Sequence, residues 1–161
     1  MMPDRVEEMA KFAEGDKNVR AFLKVIRWAE FYPHGNLGSD YRRRYGGSEL
    51  NDLKDHPMNQ TERWGKKSSA SGAYMITKET WVEYKKKLGL TDFSADSQDR
   101  VAIAIIKQAK AYDLIREGKI EDAVKKLNKR WSSLPDGSQH QAGVTMEKTL
   151  EQFRAYRAEE P

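Results

Sequence analysis

Glu30 ends the apolar side of the helical stretch within LKVIRWAEFYP, residues 23–33, and its type and place suit acid chemistry. Val19, Phe22, Leu23 and Ile26 recur at the i, i+3, i+4, i+7 spacing of a buried helical stripe. Glu30 follows Ile26 by one helical turn and continues that stripe. A glutamate is almost never fully buried without a partner or a task. Two forces would hold its proton at neutral pH. Loss of water penalises the charged form, and the negative end of the helix dipole lies at the helix C-terminus. A carboxyl protonated near neutrality is what a general acid needs, and one that opens onto a polar segment suits cleavage of a glycosidic bond. The competing reading is a glutamate that turns back to solvent at a frayed helix end.

The remaining reactive residue types are sparse. Cysteine is absent, so there is no disulfide framework and no thiol nucleophile. His34, His56 and His140 have no metal-ligand spacing, and neither a metal nor a cofactor is expected. Asp40, Glu49, Asp52 and Asp55 are the candidates for a second acid, each with an alternative as a solvated loop charge or turn former. Tyr41, Tyr45 and Trp64 could stack on sugar rings or form a miniature core. The run Arg42–Arg43–Arg44 reads as a solvated hairpin face, with phosphate binding as the other possibility.

The elements that must position Glu30 follow from punctuation and period. Residues 1–15 read as a charged arm or short helix, set off by Gly15. Residues 16–161 read as one catalytic domain, its first helix capped by Asp16 or Asn18 and stopped by Pro33. Residues 34–75 carry glycines among polar and aromatic residues and predict loops, with a small hairpin around DYRRRYGGSEL. Helices are expected at TKETWVEYKKKLG, with Thr77 as cap and Gly89 as stop, and at DSQDRVAIAIIKQAKAYDLIREG. Two more are expected at KIEDAVKKLNKRW and around Met146, Leu150 and Phe153. Trp28, Trp81 and Trp131 fall at helical spacing and are expected in the core. The chain of 161 residues carries a formal charge of +4, which favours an anionic partner. No apolar run approaches a membrane span, and the charged start lacks a secretory h-region. Synthesis in the cytoplasm without a signal peptide is expected.

Several blocks resemble, in order, those of the phage endolysins of lambda type, lysozymes that act as soluble lytic transglycosylases. AFLKVIRWAE resembles the segment around that family's catalytic glutamate. GGSELNDLKDHP is similar to its glycine-glycine hairpin and the aspartate-histidine-proline that follows. SSASGAYMI sits where the family has a glycine-arginine-tyrosine-glutamine run. WVEYKKKLGLTDFSADSQDRVA and RWSSLP resemble their counterparts in wording and spacing. The resemblance implies a lysozyme-like α+β fold, a mainly helical body with a small glycine-rich β-hairpin lobe.

It also implies cleavage of peptidoglycan between N-acetylmuramic acid and N-acetylglucosamine. Glu30 would protonate the glycosidic oxygen, then act as base while the muramyl 6-hydroxyl attacks its own C1, giving a 1,6-anhydro sugar. Tyr45, Gly46, Gly47, Ser71, Gly72, Tyr74, Met75, Gln139 and Gln141 are the implied substrate-binding residues. The implied partner is a glycan strand bound by a monomer, with no nucleic acid and no stable membrane insertion. The implied place of action is the periplasmic wall of the host, reached through a holin-type lesion. Phe31 stands where the family has a small residue, and Ala73 and Met75 stand where it has arginine and glutamine. Met75 cannot donate a hydrogen bond. The rival expectations are a hydrolytic lysozyme in which a lobe aspartate positions water, a virion-associated or wall-binding protein with weakened turnover, and a basic nucleic-acid binder.

Overall fold

Helix α1 (Arg5–Glu30) carries the candidate acid on its final residue. The computed structural model of the chain describes residues 5–33, 40–136 and 144–161. The apolar stripe behaves as its spacing requires, with Val19, Phe22, Leu23 and Ile26 all buried. They pack towards α4 (Tyr112–Arg116) and α6 (Met146–Glu159), which flank α1. Around them lie α2 (Lys78–Leu88), α3 (Ala95–Gln108) and α5 (Ile120–Leu127), whose apolar faces complete one core. Thr77 caps α2 as expected: its side chain accepts from the Thr80 amide, and Gly89 ends the helix in the left-handed region. Trp81 and Trp131 are buried in the core, while Trp28 is half-buried against it.

Two helix boundaries differ from expectation. The helix expected to start at Asp16 or Asn18 instead begins at Arg5 and runs unbroken through Gly15. A glycine inside a helix costs about 1 kcal/mol relative to alanine, and tertiary contacts on both sides offset this. Arg116 of α4 donates to the Asp16 carboxylate at 2.6 Å and to the Phe12 carbonyl at 3.0 Å. The Asn18 side-chain amide donates to the carbonyls of Ile115 and Arg116, both at 3.1 Å. A Cβ on Gly15 would lie 2.6 Å from the Arg116 guanidinium, so the glycine leaves room for that side chain to lie across α1.

The second difference lies in DSQDRVAIAIIKQAKAYDLIREG, which forms two helices. Lys110 adopts a φ of 61° between α3 and α4. The Lys110 amide then donates to Lys107 O and the Ala111 amide to Ile106 O, the paired bonds of a Schellman ending, which satisfy carbonyls that would otherwise be orphaned.

The small lobe is built from short pieces. A 3-10 turn spans Asp40–Arg42, and an isolated bridge joins Arg43 to Glu49 around Gly46 and Gly47. The expected hairpin around DYRRRYGGSEL is present in short form: the Arg44 amide donates to Ser48 O at 2.8 Å and the Leu50 amide to Arg42 O at 2.7 Å, on either side of that bridge. The regular hairpin comes later, β1 (Thr61–Arg63) antiparallel to β2 (Lys66–Ser68), with Arg63 opposite Lys66. The arginine run is a partly solvated face, Arg42 exposed and Arg43 and Arg44 half-buried, with each side chain tied down. Arg42 donates to Asn51 O at 3.0 Å, Arg44 donates to Asn59 Oδ1 at 2.7 Å, and Arg43 lies over the Phe31 ring. His56 is buried in the base of the lobe against Trp81 and Phe93. Its Nδ1 accepts from the Met58 amide and its Nε2 faces the Ile76 carbonyl, which assigns the neutral Nε2–H tautomer. Burial is the largest influence on this ring and lowers its pKa.

Gln98 of α3 fastens the lobe to the body. Fully buried, it accepts from the Ala73 amide at 2.9 Å and donates to the carbonyls of Phe93 and Tyr41 at 2.8 and 3.1 Å. Gly72 makes this approach possible. Its φ is 82°, and a Cβ there would lie 2.2 Å from Gln98 Oε1 and 2.9 Å from the Phe93 ring. Gly72→Ala combines a left-handed backbone with a steric conflict, so a destabilisation of about 2–4 kcal/mol is expected. Thermal unfolding followed by circular dichroism will show it as a fall in Tm of several degrees, and an unchanged Tm would refute the account.

Candidate active site

Glu30 sits where α1 gives way to the lobe. Its side chain keeps some exposure while its carboxyl lies in dry surroundings. Burial pushes the carboxyl pKa up to about 7, and the Ser133 hydroxyl opposes the rise. Among the described residues no charged group perturbs it. The neutral form of the acid is thus maintained by loss of water, as the apolar stripe predicted. Ser133 Oγ is itself buried and meets no partner at full hydrogen-bond geometry, so its approach to the carboxyl is loose.

Tyr74 ties both walls of this site together. Arg27 lies one turn before Glu30 on α1 and is buried. Its guanidinium donates to the Tyr74 hydroxyl at 2.8 Å, which donates to Asp99 Oδ1 at 2.5 Å. The Tyr41 hydroxyl donates to the same oxygen at 2.7 Å. Arg27 also lies over the Tyr41 and Tyr74 rings, 5.2 and 5.8 Å from their centroids. The buried cation is thereby matched by a carboxylate and two ring faces, which offsets the loss of its hydration. Burial pushes the Tyr74 pKa upward, so its hydroxyl stays a donor. On the other side, the Trp131 indole donates to the Tyr74 carbonyl at 2.9 Å. The turn from Trp131 to Leu134 closes with a 3.0 Å bond and carries Ser133. One tyrosine therefore fixes the helix that bears Glu30 and the turn that bears Ser133.

The expected substrate residues separate into two groups. Ser71, Gly72 and Tyr74 face inward. The Ser71 hydroxyl donates to Ser69 O, and both Ser71 main-chain groups bond Ile76, so this serine has no polar group left for a sugar. These three residues shape the wall rather than present donors from it. Ala73 is fully buried, and its amide is taken by Gln98. Met75 keeps partial exposure at a φ of 49°. Gly46 and Gly47 are exposed on the lobe, and Tyr45 is half-buried beside them with its hydroxyl on Arg63 O at 3.3 Å. Gln139 and Gln141 lie outside the described residues, as do His34 and His140.

Three of the four candidate second acids are engaged elsewhere. Asp40 is fully buried within 3.6 Å of Arg43, and Asp55 accepts from the Trp81 indole at 2.9 Å. Asp52 accepts from the Lys54 amide, and Glu49 is exposed at its bridge to Arg43.

Sequence reasoning missed Arg27, Gln98, Asp99 and Ser133. Arg27 sits inside the very stretch that pointed to Glu30, and an arginine between Ile26 and Trp28 was the available signal. The others are ordinary polar residues, marked only by lying in SADSQDRVA and RWSSLP.

A mainly helical body, a small two-stranded lobe and a desolvated glutamate at their junction define a lysozyme-like α+β glycosidase. The Endolysin family model matches residues 20–159. The endolysin of Escherichia phage P2 is 39% identical over 153 residues, covering 86% of this chain and 92% of that protein. The endolysin of Escherichia phage lambda is 32% identical over 139 residues, covering 84% and 88%. The solved structure of bacteriophage lambda lysozyme complexed with a chitohexasaccharide is similar at a TM-score of 0.76 and 30% identity, over 87% of this chain and 94% of that one. The chain belongs to the endolysin family.

The raised pKa makes Glu30 a measurable burden on the fold. Between the ordinary value of 4.5 and about 7, the folded state holds a proton that the unfolded chain has released. Stability therefore falls as pH rises through that window. Glu30→Gln removes the titrating group. It is expected to stabilise the protein by about 2–3 kcal/mol at about pH 8, allowing for partial solvent access, with no such gain at about pH 4. Urea denaturation at the two pH values tests this. An equal effect at both would mean that the carboxyl is not desolvated.

Proposed function

We propose that this endolysin degrades peptidoglycan by lytic transglycosylation, cleaving between N-acetylmuramic acid and N-acetylglucosamine with Glu30 as the catalytic residue. The observation that carries the reading is a carboxyl whose pKa is pushed up to about 7 by burial, at the mouth of the lobe. In its protonated form Glu30 gives its proton to the glycosidic oxygen as the C1–O bond breaks. The resulting carboxylate then takes the proton of the muramyl 6-hydroxyl as that oxygen bonds to C1. Glu30 ends protonated and no water is consumed. The attacking hydroxyl belongs to the same sugar, so proximity assists it and no second carboxylate has to hold a water. The separate engagements of Asp40, Asp52 and Asp55 support this economy.

The substrate is the glycan strand, and the neighbouring surface of Tyr45, Gly46, Gly47 and Met75 is the part of the lobe left to meet it. The reading also includes a monomeric catalytic domain over 16–161, with the first turns of α1 as an extension. It includes action on the periplasmic wall, reached through a holin-type lesion.

Digestion of purified peptidoglycan followed by mass spectrometry tests the chemistry. Anhydro-muropeptides are expected, and products heavier by one water would assign a hydrolytic lysozyme instead. Glu30→Gln is expected to keep the fold and lower kcat by about 10²–10⁴, the usual contribution of a positioned acid. Because the acid form is required for bond cleavage, wild-type activity is expected to fall as pH rises through about 7. Retained activity in Glu30→Gln would move the acid to another residue. Met75→Gln restores a donor at a partly exposed position and is expected to leave Tm unchanged while raising the rate on peptidoglycan. A clear fall in rate would mean that the thioether is itself adapted to the sugar face.

A further inference from the structure

The tip of the β1–β2 hairpin carries two costs that the fold does not explain. Trp64 is 81% exposed, which removes it from a lobe core, one of the two places expected for it. It also adopts a φ of 51°, followed by Gly65 at 74°. Consecutive positive φ values mark the type I′ turn favoured by two-residue hairpins, and asparagine or aspartate before glycine is its usual content. A bulky tryptophan in that first position is a conformational outlier. An exposed indole held in a strained turn calls for something outside the chain to meet it.

The surroundings of Trp64 say what that is. Arg63, Lys66 and Lys67 are all exposed within this short hairpin, against the single acid Glu62, which stands opposite Lys67. The tip is therefore net positive. The Arg63 guanidinium stacks 4.1 Å from the Trp64 centroid and donates to Gly46 O at 3.1 Å, so it pins the indole's orientation to the lobe. The hairpin base is tied down as well, since the Thr61 hydroxyl donates to Tyr45 O at 2.5 Å and Tyr45 donates to Arg63 O. Beyond the base the tip is open: a Cβ on Gly65 would meet nothing within 4 Å. The feature is a projecting, oriented aromatic ringed by cations.

We propose that this tip docks on an anionic lipid surface, with the Trp64 indole at headgroup depth and Arg63, Lys66 and Lys67 on the headgroup phosphates. Indoles prefer the membrane interface, where the ring is half dry and the N–H half wet, and each basic side chain adds attraction to acidic headgroups. A peptidoglycan strand also carries carboxylates on its stem peptides, but a strand needs a groove, and the described tip is an open turn with nothing within 4 Å of a Cβ at Gly65. Single-stranded nucleic acid is bound in grooves lined by successive stacking aromatics, whereas this is a narrow projecting turn. The contact is peripheral. No described helix is long and apolar enough to cross a membrane, and the hairpin strands are three residues each.

Sedimentation of the full chain with vesicles gives the test. One set contains phosphatidylethanolamine with phosphatidylglycerol and the other phosphatidylcholine alone, at low and high salt. Wild type is expected to bind the acidic vesicles at low salt, to be released as salt screens the headgroups, and to leave phosphatidylcholine unbound. Trp64→Asn and the double variant Lys66→Glu, Lys67→Glu are each expected to weaken acidic-vesicle binding about fivefold or more. Trp64→Asn also relieves the turn, so its Tm is expected to rise by about 2–4 °C, which separates lost docking from lost folding.

Failure of wild type to bind acidic vesicles at low salt would overturn the proposal, as would undiminished binding by both variants. Equal binding to phosphatidylcholine would do the same. If vesicles stay unbound while Trp64→Asn weakens retention on single-stranded DNA or binding of a chitooligosaccharide, the tip belongs to that ligand and the proposal fails.

Discussion

Exclusion of water from one carboxyl governs this molecule. Glu30 keeps its proton near neutral pH because the helix that carries it is apolar on that side and the turn bearing Ser133 closes over it. No counter-charge is needed, and a nearby cation would defeat the arrangement by stabilising the ionised form. The placement of Arg27 is instructive in this light. It is buried one turn from Glu30, yet its guanidinium is directed to Tyr74 and the Tyr41 ring, with Asp99 behind them. Glu30 is left under the influence of burial and a hydroxyl alone.

The same set of contacts joins the two parts of the fold. Tyr74 receives Arg27 from α1 and the Trp131 indole from the turn after α5, and it donates to Asp99 of α3. Gln98, next in the chain to Asp99, holds the Ala73 amide and the Tyr41 carbonyl. Residues that the family resemblance offered as sugar contacts, Ser71, Gly72 and Tyr74, act here as the joint that sets the lobe against the body. Buried polar groups carry such a joint well, because each bond is directional and each unmade one costs its full desolvation.

Positive φ at non-glycine residues recurs in the lobe. Met75 and Trp64 both take positive φ, as do Met58 in the lobe and Lys110 between α3 and α4. Lys110 has a plain structural reason, since it ends a helix and satisfies two carbonyls. Glu30 itself weakens the fold above its ordinary pKa for the sake of a transferable proton. In the proposed mechanism stability and activity are set against each other at this carboxyl.

Much was legible in the chain alone. The period of Val19, Phe22, Leu23 and Ile26 determined the buried face of α1, and the same period placed Glu30 on it. Thr77 and Gly89 marked the ends of α2, because caps act through neighbouring backbone groups and need nothing distant. Ordered family blocks pointed to the fold and to the acid. Tertiary structure decided the rest. Whether α1 stopped at Gly15 depended on Arg116, about a hundred residues away, whose bonds outweigh the local preference of glycine. Which lobe residues turn inward depended on Gln98 and Asp99, and the partners of Arg27 lie on three other segments. Periodicity reports which side of an element is dry. It is silent on what stands across the gap, because that is settled only when separate elements meet and each buried donor must find its acceptor.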